Sequence, residues 1–364
     1  QREALLKPLQ AVVSVVERRQ TMAILSNVLL NVKDGNIAFT ATDMEIEMVA
    51  HVDVDVSETG SVTVPARKFT DICKALPDGA TLEVELDNEQ QRLTIRSGKS
   101  RFNLSTLPAN DFPNLEDINS RQNLSVPQSA LKTLIENTQF AMAQQDVRYY
   151  LNGLLLEIAS NKIRTVATDG HRLAFSEQNI SVEPVELLQI ILPRKGVLEL
   201  VKLLEFSDES ANISIGSNHI RIELDRFRFT SKLIDGRYPD YQSVIPTDGD
   251  RIVAANRMLL KDALSRTAIL SNEKFRGIRV KLTTGLLQST AHNPEREEAQ
   301  EEIEVEFEGP DLEAGFNVNY LLDALNIIQS EEVNLVFGGN SNSCVIKDLN
   351  ANGENLFVVM PMKL

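Results

Sequence analysis

The stretch Thr165-Val-Ala-Thr-Asp-Gly-His-Arg-Leu-Ala174 opens as a strand, bends at Asp169-Gly170 and carries His171 and Arg172 out of the turn. Taken alone it resembles half of an active site. Two related stretches change that reading. Thr42-Asp43 closes a similar strand in Ile37-Ala-Phe-Thr-Ala-Thr-Asp-Met-Glu-Ile46, and His292-Asn293 closes another in Leu287-Gln-Ser-Thr-Ala-His-Asn293. Positions 43, 169 and 293 are separated by close to 125 residues each time. Self-similarity at a fixed period takes precedence over any short motif, so the chain reads as three copies of one unit.

Length agrees. A chain of 364 residues is long for one core and suits two or three domains of roughly 100–150 residues each. The copies fall at 1–120, 121–248 and 249–364. Hydrophobic residues make up 42% and charged residues 24%, as in ordinary globular protein. The two cysteines, Cys73 and Cys344, leave no disulfide framework and suit a reducing cytoplasm. No apolar run reaches the ~20 residues of a membrane span. No signal peptide opens the chain, and its start at Gln1 instead of Met fits residues missing ahead of it. Four histidines and two cysteines without ligand spacing give no expectation of metal, and nothing calls for a cofactor.

Each copy reads as helix, strands, helix, strands. In the first, Leu5, Leu6, Leu9, Val12, Val13 and Val16 fall on one helical face over 2–16. Strands are expected at 24–32 and 37–42 around an Asp34-Gly35 hairpin turn, then at 45–56 and 61–64. A helix over 65–76 buries Phe69, Ile72, Cys73 and Leu76, and strands at 81–86, 92–97 and 101–105 complete the unit. The second copy has helices over 127–142 and 192–204, with strands at 153–158, 162–168, 171–178, 212–216, 219–224 and 226–233. The third has helices over 257–271 and 317–329, with strands at 277–282, 286–291, 299–307, 334–337, 343–347 and 356–361. The class is α+β: in each copy two amphipathic helices pack on antiparallel sheets.

Charge is unevenly spread. The net charge of −15 argues against nucleic acid if taken as a total. Yet the six helical stretches with their adjoining turns hold 17 Lys and Arg against 10 Asp and Glu. The helices are therefore net positive and the rest of the chain strongly negative. One basic layer on an acidic body suits a nucleic-acid surface, although exposed helix faces are commonly Lys-rich for solvation alone. No motif for reading bases accompanies it. Separately, 295–308 holds eight glutamates, mostly alternating, while Arg96, Lys99 and Arg101 with Arg67 and Lys68 form a basic patch in the first copy. Acidic and basic ends can join two chains head to tail; an edge strand charged against aggregation reads the same way.

Longer motifs add a resemblance. Asp146-Val-Arg-Tyr-Tyr-Leu-Asn-Gly153, Thr168-Asp-Gly-His-Arg-Leu173, Leu270-Ser-Asn-Glu-Lys-Phe-Arg-Gly277 and Val358-Val-Met-Pro-Met-Lys-Leu364, with the triplication, closely resemble the DNA polymerase III beta subunits, the bacterial sliding clamps, over essentially the whole chain. The chain departs from the family's pattern in lacking a short strand before Arg2, which is expected to weaken the first sheet, and in having His292-Asn293 where the other copies have Thr-Asp. The resemblance implies three DNA-clamp domains forming a half-ring, and a homodimeric ring around duplex DNA, held without sequence preference. It implies no catalysis. The clamp would act as a processivity factor in DNA replication, tethering the polymerase III catalytic subunit, the clamp loader and other polymerases or repair proteins through short linear motifs.

Matching positions then acquire expected roles. Arg19, Arg67, Gln145, Tyr149 and Tyr150 are candidate DNA contacts, the two tyrosines being equally readable as packing. A partner-peptide cleft would involve Leu151, Thr168, Gly170, His171, Arg172, Leu173, Pro239, Val244, Asn317, Tyr320 and Ser343. Its other wall would be the tail Val358, Val359, Met360, Pro361, Met362, Lys363 and Leu364, acting as a lid. Ring closure would set Phe102 and Leu104 of one chain against Ile269 and Leu270 of the other, flanked by Lys68 and by Glu297, Glu298 and Glu301. Two other readings compete. One is a hydrolase or phosphatase using Asp169, His171 and Arg172, which no nucleophile motif accompanies and the other copies do not preserve. The other is a triplicated interaction scaffold that never meets DNA.

Overall fold

The computed structural model describes residues 1–17, 22–87, 89–115, 119–180, 187–246, 249, 251–338, 343–348 and 353–363. Among them are six α-helices: α1 (Arg2–Val13), α2 (Ala66–Ala75), α3 (Gln128–Glu136), α4 (Arg194–Leu203), α5 (Arg257–Ala268) and α6 (Val318–Ile327). They alternate with antiparallel sheets, as the periodicities predict. By internal contact the chain divides into two compact units, 1–129 with 198–233 and 130–197 with 234–364.

In the first unit one sheet has nine strands, in the order Leu107–Pro108, Gly60–Pro65, Asn27–Lys33, Asn36–Thr42, Ile46–Asp53, Phe227–Lys232, His219–Glu223, Ser210–Ile215 and Gln122–Pro127. It runs from the first repeat into the second at the pairing of Ile46–Asp53 with Phe227–Lys232. A second sheet has three strands, Glu83–Asp87, Arg92–Ser97 and Ser100–Ser105. The hairpin at Asp34-Gly35 forms with φ of 48° and 76°, the left-handed pair that a two-residue turn requires. Helix α1 packs on α2 and on the sheet, burying Leu5, Pro8, Leu9 and Val12. Pro8 lies inside the helix, where its missing N–H costs one backbone bond. The helix ends at Val13 rather than Val16.

In the second unit an eight-stranded sheet runs Leu188–Pro193, Gly153–Ala159, Lys162–Thr168, Arg172–Asn179, Glu354–Val359, Ser343–Asp348, Glu332–Gly338 and Arg251–Asn256. Here the second repeat meets the third, at Arg172–Asn179 against Glu354–Val359. A four-stranded sheet has Glu298–Glu304 at its edge, then Leu286–His292, Gly277–Thr283 and Leu312–Asn317.

The sequence reading misses one class of strand: Gln122–Pro127, Leu188–Pro193, Arg251–Asn256 and Leu312–Asn317. Each runs straight into a helix. Their burial is patchy and they end on Pro or Asn, which read instead as helix starts. Asn256 and Asn317 do cap α5 and α6, accepting the amides of Leu259 and Asn319 at 3.0 Å. Further boundaries move: α5 ends at Ala268 instead of 271, and the strands expected over 299–307 and 356–361 end at Glu304 and Val359. The expected helix over 127–142 stops at Glu136 and resumes as a 3₁₀ turn at Gln139–Ala141. The expected strand from Ile24 begins as a 3₁₀ turn, Ala23–Ser26.

A polar network ties the second unit's sheet to the segment that follows it. Lys162 Nζ donates to Glu177 Oε1 at 2.6 Å and Arg164 Nε to the other oxygen. Arg164 Nη1 donates to Glu157 Oε1 at 2.6 Å, where the Tyr241 hydroxyl also donates at 3.3 Å. Burial opposes the charged form of Glu177, but the Lys162 and Arg164 hydrogen bonds outweigh it and hold the carboxyl below its usual 4.5. A depressed folded value stabilises the fold above pH 4.5, and that contribution disappears as pH falls through it. The stability gap between the unmodified chain and Glu177→Gln is thus expected to be widest near neutrality and to shrink below pH 4.5; a gap independent of pH in denaturant titrations refutes the assignment. Phe357 is buried beside Phe140, ring centroids 5.9 Å apart, so Phe357→Ala is expected to destabilise this unit by about 3–5 kcal/mol, read in the same titrations.

Candidate functional site

The turn at Thr168–Arg172 is held by its own side chains. Thr168 Oγ1 accepts the Gly170 amide at 3.1 Å and donates to the Arg172 carbonyl at 2.6 Å. Asp169 Oδ1 accepts the amides of His171 and Arg172 at 2.9 and 3.0 Å. Gly170 stands at φ 88°, and a Cβ there would lie 2.9 Å from Arg148 Nη2. The first repeat builds the same turn. Thr42 Oγ1 accepts from Met44 at 3.0 Å and donates to the Ile46 carbonyl at 2.8 Å; Asp43 Oδ1 accepts the amides of Glu45 and Ile46 at 2.9 and 2.7 Å. The third repeat uses Asn293, whose side chain accepts the Glu297 amide at 2.9 Å. Thr and Asp at this place are turn-builders, with Asp169 Oδ2 taken up by Arg172 Nε at 3.0 Å.

The chain's end is fastened to this turn. In the strand pairing Arg172 lies opposite Val359 and Leu173 opposite Val358. The ladder continues past it: the Met360 amide donates to the His171 carbonyl at 2.9 Å, and the Met362 amide to the Gly315 carbonyl at 2.8 Å. Segments far apart in sequence therefore meet, because antiparallel pairing satisfies backbone groups that a buried tail would otherwise leave bare. Leu151, Leu173, Ser343, Val358 and Val359 are buried. Leu151, Leu173 and Val358 share one apolar cluster, and Val358 and Val359 belong to the sheet rather than to a lid. Thr168, Arg172, Val244, Asn317, Tyr320, Met360, Pro361 and Met362 are half-buried, while Gly170, His171, Pro239 and Lys363 are exposed. Leu364 lies outside the described residues.

Some residues that shape this surface carry no sequence signal. The buried Tyr238 hydroxyl accepts the Thr168 amide at 3.1 Å, and burial pushes its ionisation well above the usual tyrosine range. Phe140 and Asp323 both contact Arg172. Residues 140, 238 and 323 lie far from the turn in sequence, and only a contact map could link them to it.

The candidate DNA contacts behave differently from one another. Asn152 exchanges two hydrogen bonds with the backbone of Asp146, at 2.8 and 2.9 Å, and the Asp146 carboxylate takes Arg148 Nε and Nη2 at 3.1 and 2.9 Å. The Arg148 hydrogen bonds hold Asp146 down to about 2. This braced loop presents Gln145 at φ 58° and an exposed Tyr149. Tyr150, half-buried, packs on the apolar core and meets Tyr149 edge-on at 5.8 Å. Arg67 is exposed and donates to the Val16 carbonyl at 2.9 Å. Arg19 lies outside the described residues.

The expected interface residues sit on two outer strands and the turn before one of them, at the start of α2 and just past the end of α5. Phe102 is half-buried and Leu104 buried on Ser100–Ser105, the edge of the three-stranded sheet. Ile269 is 73% exposed just past α5, with Leu270 half-buried. Lys68, Glu297 and Glu298 are exposed. Glu301 is not free: Arg266 grips both its oxygens at 2.8 Å, and those bonds depress its ionisation. No helix among the described residues is long and apolar enough to cross a membrane.

Comparison with known proteins agrees with the geometry. The chain matches models of the DNA polymerase III beta subunit in succession: the N-terminal domain over 1–116, the central domain over 125–240 and the C-terminal domain over 242–363. It is 52% identical over 365 residues to the beta sliding clamp of Pseudomonas aeruginosa, covering 100% of this chain and 99% of that one. Against the beta sliding clamp of Escherichia coli K12 it is 50% identical with the same coverage. The crystal structure of the P. aeruginosa clamp bound to griselimycin matches with a TM-score of 0.96 at 51% identity, covering 100% of this chain and 98% of that one. The Caulobacter crescentus clamp with bound polyethylene glycol gives 0.95 at 36% identity, covering 100% and 97%. With the family's three domains in tandem across almost every residue, this chain belongs to the DNA polymerase III beta subunits, the DNA sliding clamps.

Proposed function

We propose that two copies of this chain close head to tail into a ring around duplex DNA, and that the ring carries replication partners on the surface formed by the Thr168–Arg172 turn and residues 360–363. Each chain would contribute three clamp domains, 1–120, 121–248 and 249–364. One observation carries the ring: the chain makes the same strand joint twice. Ser231 opposes Ile46 as Val359 opposes Arg172. The Lys232 amide meets the Glu45 carbonyl at 2.8 Å as Met360 meets His171 at 2.9 Å. Each joint takes the third strand after the second helix of one repeat, Phe227–Lys232 or Glu354–Val359, and the strand that follows the Thr-Asp turn of the repeat before it, Ile46–Asp53 or Arg172–Asn179. Among the described residues two strands of those kinds remain without a partner on one side, Ser100–Ser105 and Glu298–Glu304. A second copy supplies both missing neighbours, and the contact closes on itself after two chains. Arg96, Lys99 and Arg101 on one edge complement the glutamates of the other. Phe102 and Leu104 would meet Ile269 and Leu270.

On this reading the chain catalyses nothing. Holding a polymerase III catalytic subunit near the primer end raises its effective concentration. Arg67, Gln145, Tyr149 and Tyr150 would touch the duplex weakly, since sliding needs phosphate contacts that exchange readily. The clamp loader and other partners would use short peptides against Val244, Tyr320, Met360 and Met362, where methionine adapts to varied apolar side chains. The griselimycin-bound relative supports a ligand surface of this kind.

Ile269→Ala with Leu270→Ala is expected to give monomers in sedimentation, against about twice 40.5 kDa for the unmodified chain; an unchanged dimer sinks the ring joint. Removal of residues 360–364, leaving the buried Val358 and Val359 in their strand, is expected to weaken griselimycin binding by at least about tenfold while dimers persist. Full affinity in the shortened chain counts against the surface. A scaffold that never meets DNA is separated by retention on circular but not linearised plasmid after ATP-driven loading.

A further inference from the structure

The two internal joints differ in the residue that ends the turn. Where the first turn ends in Ile46, fully buried against its sheet, the second ends in Arg172 at the same register. The Arg172 side chain is only 13% exposed, and every guanidinium nitrogen has a partner. Nε donates to Asp169 Oδ2 at 3.0 Å, Nη2 to the Phe140 carbonyl at 2.7 Å, and Nη1 to Asp323 Oδ2 at 2.5 Å. Its carbon lies 4.5 Å from the Tyr320 ring centroid and 5.3 Å from that of Phe140, within cation–π range of both. A guanidinium held in this way is poorly placed to greet a ligand. It is well placed to hold three segments of the fold at fixed spacing.

Asp323 is the anchor on α6, three residues beyond Tyr320. That helix is fed by Leu312–Asn317, whose Gly315 carbonyl accepts the Met362 amide at 2.8 Å. The route from turn to tail thus runs two ways: directly through His171 and Met360, and through Arg172, Asp323 and α6. We propose that Asp323 is a positioning residue for the partner surface, holding Arg172 so that α6, the turn and the chain's end keep their spacing before any ligand arrives. The inference rests on the reading of that surface as a ligand site. Its physical basis is pre-organisation: a surface already ordered loses less freedom on binding, and a charge-assisted Arg–carboxylate bond with one side largely desolvated is strong enough to impose that order.

Asp323→Asn is the sharper variant, because the buried Arg172 keeps Asp169 and the Phe140 carbonyl as partners, whereas removing Arg172 would orphan that carbonyl. Griselimycin affinity by calorimetry and deuterium uptake over residues 354–363 by mass spectrometry are measured on the unmodified full chain, on Asp323→Asn and on Arg172→Lys. Asp323→Asn is expected to bind about tenfold more weakly and to take up deuterium faster at the Met360 and Met362 amides, with Arg172→Lys shifted the same way in both. Unchanged affinity in Asp323→Asn overturns the proposal. So does weaker affinity with unchanged uptake, which would make Asp323 a direct contact. If the unmodified chain fails to bind griselimycin, the ligand-site reading fails instead; faster uptake in Asp323→Asn then still supports the pin, and unchanged uptake refutes it.

Discussion

Backbone hydrogen bonding between repeats is the constraint on which this fold depends. A strand at the end of a sheet leaves a row of N–H and C=O groups bare, and each repeat produces such edges. The chain resolves this by lending the last strands of one repeat to the sheet of the repeat before it, so that two sheets run unbroken across repeat boundaries. The main chain supplies the ladder and is indifferent to side-chain identity. That is why Phe227–Lys232 and Glu354–Val359 adopt the same register although their sequences share little.

What the ladder leaves free, side chains diversify. At the first joint the turn ends in a buried isoleucine. At the second it ends in an arginine whose desolvation is offset by two carboxylates, a carbonyl and two ring faces. Burying a lone charge is costly, and a charge with complete partners fixes geometry instead. The joint that holds the chain's end is also the one that carries this arrangement, and Leu151, Leu173 and Val358 beside it belong to one buried apolar cluster.

Electrostatics divide the chain by task. Helices and their adjoining turns hold a positive excess within a body of net charge −15, a local field of the sign that attracts anions. Several conspicuous charges serve the fold itself. Asp146 braces its loop, Glu177 pins two basic side chains, and Glu301 is occupied by Arg266.

Much of this was legible in the residues. The triplication showed in Thr42-Asp43, Thr168-Asp169 and His292-Asn293 because a tight turn between strands tolerates few side chains, and most helices and strands followed from periods of 3.6 and 2. The strands feeding α3 to α6 stayed hidden because each runs without a break into its helix and its closing Pro or Asn reads as the helix start, and the 127–142 helix was overextended because its apolar spacing continues past Glu136 into a 3₁₀ turn. Tertiary structure alone decided that residues 140, 238 and 323 join the Thr168–Arg172 turn and that residue 315 joins the chain's end. Local periodicity reports what each segment prefers by itself; which distant carbonyl, ring or carboxylate completes a buried polar group depends on how whole strands pair, and that is settled only when the chain has closed its sheets.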